Sequence, residues 1–185
     1  MVKSLFCARD AFDWPGGLVV AYGDIVYEPR VLQALLDTEG DIVVTVDRSW
    51  LPLWQMRFED PLSDAESLAI NAGGHITDIG RVVSSKSEVD AQYIGLMRFS
   101  EAGTAAICDF YDNARDGEAW LLGKSLNECY MTDLLRGIIE TGVDVRAAPI
   151  DGGWLEFDTT HDLETYERRI VNPGFDRFFN PGNWG

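Results

Sequence analysis

The feature that most constrains the fold is a pair of short apolar segments separated by an amphipathic helix. Residues 18–22 and 41–46 are valine-rich runs that each lead into an acidic turn, and such runs are typical of buried strands. Between them, Pro29 occupies a favoured first helical position and Gly40 ends the helical pattern. A strand, a helix and a strand in this order indicate a parallel, right-handed crossover unit of an α/β fold.

The rest of the chain continues the alternation of strands and helices. The patterns predict a hairpin over 67–79, a strand over 92–99, a helix capped by Ser100, a helix opened by Ser125 and Glu128, strands over 143–148 and 154–157, and a helix opened by Thr159. Three segments show neither the helical nor the strand repeat of apolar residues. Residues 48–65 are predicted to form a long loop, 112–124 a mobile polar segment, and 172–185 an irregular arm packed against a surface.

Composition excludes several classes of function. Acidic residues number 31 and basic residues 15, and a net charge of −16 argues against nucleic acid or an anionic membrane as a partner. Three widely spaced cysteines and two histidines argue against a disulfide scaffold and a Cys/His zinc site. Because no apolar run reaches the ~20 residues of a membrane helix and no signal peptide is recognisable, we expect a cytoplasmic protein.

Three acidic side chains fall where predicted strands end. Asp24 follows the first strand. A later strand starts at Trp154, and its period of two puts that ring on the same face as Glu156 and Asp158. The other face, with Leu155, is expected to point into the core. Ligands of open α/β sheets bind at carboxyl ends of strands, and carboxylates there suit Mg²⁺. The ordinary alternatives are a turn former for Asp24, a helix cap for Asp158 and a solvent-facing position for Glu156.

The chain resembles a known family in an ordered set of motifs. They are Ala21-Tyr-Gly-Asp-Ile-Val26, Asp41-Ile-Val-Val-Thr-Val-Asp47, Tyr93-Ile-Gly-Leu96, Tyr130-Met-Thr-Asp-Leu-Leu135 and Trp154-Leu-Glu-Phe-Asp-Thr-Thr-His-Asp-Leu163. This set resembles the small-molecule, sugar-phosphate nucleotidyltransferase-like superfamily, and within it the phosphocholine and phosphonate cytidylyltransferases. The resemblance extends over most of the chain, from Ser4 to Ile170.

The resemblance implies a fold and a reaction. The fold is a three-layer α/β/α domain over residues 1–171 with a mixed, mainly parallel sheet, a truncated, Rossmann-like version of the nucleotide-diphospho-sugar transferase fold. The reaction is transfer of a nucleotidyl group, with CTP favoured as donor, to a small phosphate or phosphonate acceptor with release of pyrophosphate. A cationic acceptor such as choline phosphate or an aminoalkyl phosphonate would suit aromatic faces beside a carboxylate.

The resemblance also implies roles for individual residues. Asp24 and Asp158 are expected to be catalytic by holding Mg²⁺ against the nucleotide phosphates, with Glu156 as a further metal ligand, and Tyr22 and Gly23 are expected to contact the nucleotide. The expected substrate-binding residues are Asp47, Trp50, Tyr93, Gly95, Tyr130, Asp133 and Trp154. For Trp50 and Tyr130, ordinary packing is the alternative that the sequence leaves open.

One departure from the family pattern leads to a second hypothesis. The family opens with a glycine-rich loop carrying an arginine and, further on, a lysine, and this chain shows no counterpart. Segment 1–12 instead resembles the helix before the Tyr-Gly-Asp strand, so the front third of the family fold is expected to be absent. The strand over 18–22 would then be an open edge, inviting a homodimer or a partner chain. The alternatives are therefore a non-catalytic relative acting as a subunit, small-molecule binder or regulator, and a truncated product.

Overall fold

The computed structural model describes residues 1–114, 123–125 and 127–184. The strands are β1 (Leu18–Ala21), β2 (Ile25–Tyr27), β3 (Ile42–Asp47), β4 (Glu66–Ile70), β5 (Ile76–Val82), β6 (Gln92–Phe99), β7 (Arg146–Ile150) and β8 (Trp154–Glu156). The α-helices are α1 (Val2–Phe6), α2 (Pro29–Asp37), α3 (Trp50–Arg57), α4 (Glu101–Ala114), α5 (Met131–Glu140) and α6 (Thr160–Arg169). No helix in these ranges is both long and apolar enough to cross a membrane.

The main sheet is mixed, as predicted, but it is not mainly parallel. Its strand order is β1-β6-β3-β7, and strand β6 runs antiparallel to both of its neighbours. Only β3 and β7 form a parallel pair among the described strands of this sheet. The crossover prediction gave the right common direction for β1 and β3, but strand β6 inserts between them. Two separate antiparallel pairs, β2–β8 and β4–β5, complete the strands.

The main sheet has a hydrophobic core on each of its faces. Strand β3 is buried along its whole length, and its successive residues Val43 and Val44 belong to different core clusters. Val44 packs with Met97 and with Leu134 of helix α5, whereas Val43 lies in the cluster of Leu35 from helix α2. This alternation across a pleated strand places helices on both faces, which confirms the three-layer prediction.

Helix α3 replaces the long loop that was predicted over 48–65. Its apolar residues Trp50, Leu53 and Trp54 are buried, and its last residue, Arg57, is buried with them. Their spacing is that of one helical face, and Pro52 lies in the first turn, where a missing N–H is tolerated. The loop prediction was therefore wrong for residues 50–57, which form a helix.

The helix predicted to open at Ser125 begins later, at Met131. Glu128 does fold back on Ser125, accepting from its backbone N at 3.1 Å and its Oγ at 2.6 Å, but this closes a turn and not a helix. Asp133 caps the actual start by accepting from the backbone N of Tyr130 at 2.9 Å. Most of the segment predicted to be mobile and polar, residues 115–122, lies outside the described residues.

The C-terminal arm packs against the start of helix α2 and strand β8. The carbonyl of Phe178 accepts from the backbone N of Gly153 at 2.6 Å and from that of Trp154 at 3.1 Å. Glu28, which is buried, accepts from the backbone N of Asn180 at 2.9 Å and from Nδ2 of Asn183 at 2.7 Å. Burial alone would raise the pKa of Glu28, but these hydrogen bonds and one from Arg30 lower it. The arm thus holds an acid that the fold has removed from water.

Candidate active site

A cavity of about 450 Å³ brings together five of the predicted site residues. They are Tyr22, Tyr93, Tyr130, Glu156 and Asp158. Glu66 and Asp64 also line it, together with Gln92 and Thr132, and none of these four was predicted from the sequence. The cavity therefore combines phenol rings with carboxylates, and no lysine or arginine is among the described residues that line it.

Asp24 lies in a neighbouring groove that shares Tyr22 with the cavity. The groove, of about 500 Å³, is lined by Tyr22, Gly23 and Asp24 at one end. The backbone carbonyl of Asp24 accepts from the N of Phe157 at 2.9 Å, which extends the pairing of β2 with β8. This pairing places the exposed Asp24, which immediately precedes β2, beside the end of β8 that carries Glu156 and leads to Asp158. The three predicted acids are therefore brought to one region by two short strands.

A buried arginine, missed by the sequence analysis, holds two of these acids. The Arg57 guanidinium donates from Nη1 to Glu156 at 2.6 Å, from Nη2 to Asp158 at 2.5 Å and from Nε to Asp162 at 3.0 Å. Its side chain is fully buried, and it lies over the Trp54 ring at 5.5 Å. Charge-assisted bonds from a planar guanidinium fix each carboxylate in direction as well as in place. The signal was an arginine at the end of an apolar helical face.

Three acids of the cavity, Glu156, Asp64 and Glu66, have raised pKa values. Burial raises the pKa of Glu156 to about 7, opposed by the charge of Arg57 and reinforced by the nearby charges of Asp158 and Asp24. Burial is also the largest cause that raises the pKa of Asp64 and the pKa of Glu66. Carboxyls that share a partly desolvated space with other acids favour the neutral form. A cation bound in this space would therefore favour the deprotonated form of these carboxyl groups.

The carboxylates do not form a ready-made metal cage. Within the described ranges, no group of three or more His, Cys, Asp or Glu side chains is close enough to hold a metal ion. Glu156 and Asp158 each have one oxygen bonded to Arg57. Mg²⁺ is often held by only one or two carboxylates, with nucleotide phosphates and water completing its shell. The residues fit a magnesium ion that arrives with a nucleotide, and they do not fit an isolated three-carboxylate site.

Asp47, Trp50 and Trp154 do not reach the cavity, which corrects three predicted substrate contacts. Trp154 is fully buried and donates from Nε1 to Asp47 at 2.9 Å. Asp47 also accepts from the backbone N of Ser49 at 2.8 Å and that of Gly152 at 3.0 Å, while its burial raises its pKa. Trp50 packs edge-on against Trp54 in the core, as its alternative reading proposed. These groups join β3, α3 and β8 inside the protein.

The period-two reading of strand β8 was also wrong about the tryptophan. Trp154 and Leu155 are consecutive, yet both belong to the same buried cluster. This cluster also contains Ala148 and Ile150 of strand β7 and Phe175 and Phe179 of the C-terminal arm, so both side chains are enclosed. Only Glu156 of this strand reaches the cavity, followed by Asp158 after the strand.

Gly95 shapes the cavity because it has no side chain and so leaves space for a neighbouring ring. It has a φ of +78°, and a Cβ there would lie 2.5 Å from the Tyr22 ring. Its carbonyl accepts from the Tyr22 backbone N at 2.9 Å. Without a side chain at this position, the Tyr22 ring lies against strand β6 and meets Tyr93 edge-on at 5.7 Å. The predicted substrate contact is thus a shaping position for two tyrosines.

Tyr130 and Asp133 have different places in the structure. Asp133 is buried and accepts from Nζ of Lys124 at 2.8 Å, so it is a helix cap and ion-pair partner and does not line the cavity. Tyr130 is 56% exposed at the cavity rim, and its ring lies 5.5 Å from the same Lys124 ammonium. The packing alternative for Tyr130 is wrong, because its ring is available to a ligand.

The known proteins that this chain is similar to are nucleotidyltransferases, although no family model matches the chain. A CTP:phosphoglutamine cytidylyltransferase from Campylobacter jejuni is 36% identical over 168 residues, which are 89% of this chain and 66% of that protein. The chain thus spans slightly less than two thirds of the curated relative that it matches.

Two solved structures share the fold at low sequence identity. The inositol-1-phosphate CTP transferase from T. maritima has a TM-score of 0.60 at 16% identity, over 89% of this chain and 59% of its own. A putative glucose-1-phosphate thymidylyltransferase from Bacillus anthracis, in complex with a sucrose, has a TM-score of 0.62 at 14% identity, over 94% and 63%. The nucleotide-diphospho-sugar transferase fold is therefore shown for this chain, which spans about three fifths of each of these structures.

Proposed function

Because the chain belongs to the nucleotidyltransferase superfamily, close to its cytidylyltransferases, we propose that it takes part in cytidylyl transfer from CTP to a small phosphate or phosphonate acceptor. An acceptor oxygen would attack the α-phosphorus, forming the new P–O bond while the bond to the β-phosphate oxygen breaks and pyrophosphate leaves. Such chemistry needs positioning and charge neutralisation more than covalent help from side chains. The observation that carries the proposal is the β2–β8 pairing, which collects Asp24, Glu156 and Asp158 beside a cavity.

Each predicted residue that reaches this region has a proposed part. Asp24 and Asp158 would hold Mg²⁺ against the phosphates, with Glu156 nearby, and the ion would supply the positive charge that offsets the growing negative charge of the reacting phosphate. Tyr22 lines both the groove and the cavity, and Gly23 lines the groove next to it, where the nucleotide would pass. Since Arg57 already orients the two later acids, the chain's own contribution is to present carboxylates in a fixed direction.

The cavity favours an acceptor with a positively charged head group. Phenol rings of Tyr22, Tyr93 and Tyr130 surround a space that also holds Glu66 and Asp64. Aromatic faces attract cations through their quadrupole, and nearby carboxylates add Coulomb attraction. A zwitterionic acceptor, with an ammonium at one end and a phosphate or phosphonate at the other, matches both this cavity and the reaction.

A second candidate function, binding without turnover, is favoured by the same arginine. Arg57 occupies one oxygen of Glu156 and one of Asp158, and no lysine or arginine lines the described cavity. A triphosphate would meet this acidic space without a cationic side chain from the chain itself. A non-catalytic subunit or small-molecule binder would retain the fold under these conditions.

Calorimetric titration with CTP, with and without Mg²⁺, tests the proposal. We expect Mg²⁺-dependent binding with a dissociation constant below about a millimolar, which is roughly 4 kcal/mol, and almost none in excess EDTA. Asp24→Asn and Asp158→Asn should each weaken that binding, whereas Asp176→Asn, at an exposed position on the arm, should not. A folded chain that ignores CTP would favour the non-catalytic alternative. Unchanged binding in both site variants would show that the metal assignment is wrong.

A further inference from the structure

Strand β1 is an edge strand with an unused row of backbone groups. It pairs with β6 on one side, and no other described strand pairs with it. The bond from Tyr22 N to the Gly95 carbonyl fixes the phase of this antiparallel pair. Because hydrogen-bonded positions alternate, the N–H and C=O groups of Val19 and Ala21 point away from β6. These two residues offer a donor and acceptor pattern to a further strand.

An apolar groove runs along this open edge. Helix α1 and the segment after it form one wall with Leu5, Ala8 and Phe12, and strand β1 forms the other. Val19 is 48% exposed on this strand, so its side chain is accessible to a ligand in the groove. The groove, of about 500 Å³, ends at Asp24 and joins the candidate active site there. An added strand could therefore bury side chains against α1 and end beside the nucleotide region.

The charges around the edge of strand β1 indicate which kind of polypeptide can bind there. Asp13, Glu101 and Asp109 line a cavity beside the segment that precedes β1, together with Arg9, whose guanidinium is paired with Asp112. Asp24 lies just beyond the other end of β1. No lysine or arginine is among the described residues that line the groove. A second copy of the chain would bring a further net charge of −16, so like charges oppose an edge-to-edge homodimer. A basic occupant is complementary to this edge.

We propose that the β1 edge binds an extended, basic polypeptide segment by strand addition. The segment pairs with the outward groups of Val19 and Ala21, seats alternate apolar side chains in the groove, and brings cationic side chains to Asp24. Those cations supply the positive charge that the described lining of the active site lacks. The docking itself does not depend on the transferase activity proposed above.

The test uses a fluorescent peptide of alternating valine and lysine and the full chain. Anisotropy measures its binding, and amide hydrogen exchange by NMR locates it. We expect slowed exchange at the Val19 and Ala21 amides, and binding about tenfold weaker to Val19→Pro, which lacks the outward N–H and puts a ring at the edge. Val19→Thr is the matched control, because it retains the N–H and a β-branched side chain, and it should bind like the unchanged chain.

The other outcomes would overturn the proposal. A peptide of equal charge interrupted by prolines cannot add as a strand, so equal binding by it would show a purely electrostatic contact. Protection at residues other than the β1 amides would place the contact elsewhere. A dimer seen by sedimentation of the chain alone, and lost in Val19→Pro, would show that a second copy occupies the edge. Circular dichroism of both variants confirms that Val19→Pro is folded before its binding is compared.

Discussion

The Arg57 guanidinium donates from Nη1 to Oε2 of Glu156 across 2.6 Å, and this contact joins helix α3 to strand β8. The two residues are 99 positions apart in sequence. Since Asp158 and Asp162 bind the same guanidinium, one buried cation determines where three carboxylates lie. The region proposed to meet a nucleotide is thus assembled around an arginine that the cavity itself does not expose.

Replacing Arg57 with methionine should destabilise the fold strongly. The apolar stem is retained, but Asp162 and Glu156 lose the cation that compensates their burial. Removing one member of a buried ion pair typically costs about 3–5 kcal/mol, and the partial exposure of Asp158 places the expectation near the lower end. Urea unfolding measures the loss. Arg48→Met is the control, because its pair with Asp151 is exposed and worth about 0–1 kcal/mol. Equal losses in the two variants would contradict the assigned role.

The stability of the protein should fall as pH rises through neutrality because of Glu156. Its pKa in the folded chain is about 7, above the ordinary value of 4.5. Between these values the folded state holds a proton that the unfolded state has released, so this contribution is complete below the lower value and lost above the higher one. Glu156→Gln stays neutral and should remove the effect. Relative to this variant, the chain should lose on the order of 2 kcal/mol between about pH 5 and about pH 8. Parallel pH profiles of the two proteins would refute the shift.

Trp154→Phe should weaken the fold without weakening nucleotide binding. The indole Nε1 donates to the buried Asp47, and phenylalanine would leave that carboxylate oxygen without this donor. An unsatisfied buried polar group costs about 1–3 kcal/mol. Thermal or urea unfolding gives the loss, and calorimetry with CTP tests the site. Trp14→Phe, at a position that is 66% exposed, should change neither quantity. If Trp154→Phe is fully folded but binds CTP much more weakly, the assignment of Trp154 to the core and not to the binding site would be contradicted.

Gly95→Ala should displace the Tyr22 ring from its place against strand β6. Its new methyl group would lie 2.5 Å from ring atoms, at a φ that already disfavours a side chain. Gly142→Ala is a matched control, because its φ of +87° is similar but nothing lies within 4 Å of the added atom. We expect Gly95→Ala to cost about 2 kcal/mol more than the control in urea unfolding, which is the contribution of overpacking alone. Similar losses would mean that backbone strain accounts for the effect.

Elements with a strong local pattern were predictable from the sequence. Strands β1, β3 and β6 are apolar runs with clear ends, and the capping pair Thr159 and Asp162 opens helix α6 as expected. The order of the strands was not predictable in the same way. Strand β6 enters the sheet between β1 and β3 because of contacts between residues far apart in sequence, and no local pattern carries that information.

The candidate site was predictable only where its residues follow strands. Asp24, Glu156 and Asp158 were found because carboxyl ends of strands are where α/β proteins place ligands. Arg57 was missed because it ends helix α3, in a segment for which the sequence predicts a loop. The aromatic residues Trp50 and Trp154 were misplaced because a sequence does not show whether the ring at the start of a helix or strand faces the core or a cleft.

The hydrogen bonds from Asn180 and Asn183 to Glu28 constrain when the surroundings of this acid can fold during synthesis. The acid is separated by 152 and 155 residues from Asn180 and Asn183, whose groups bind it. A ribosome therefore makes the acid long before its donors, and domains generally fold as whole units during synthesis. We expect protease to cut near Glu28 in ribosome-bound chains that stop before Asn180 and to spare this region in chains that include both asparagines. The buried charge beside helix α2 is therefore satisfied only after more than 150 further residues have been made.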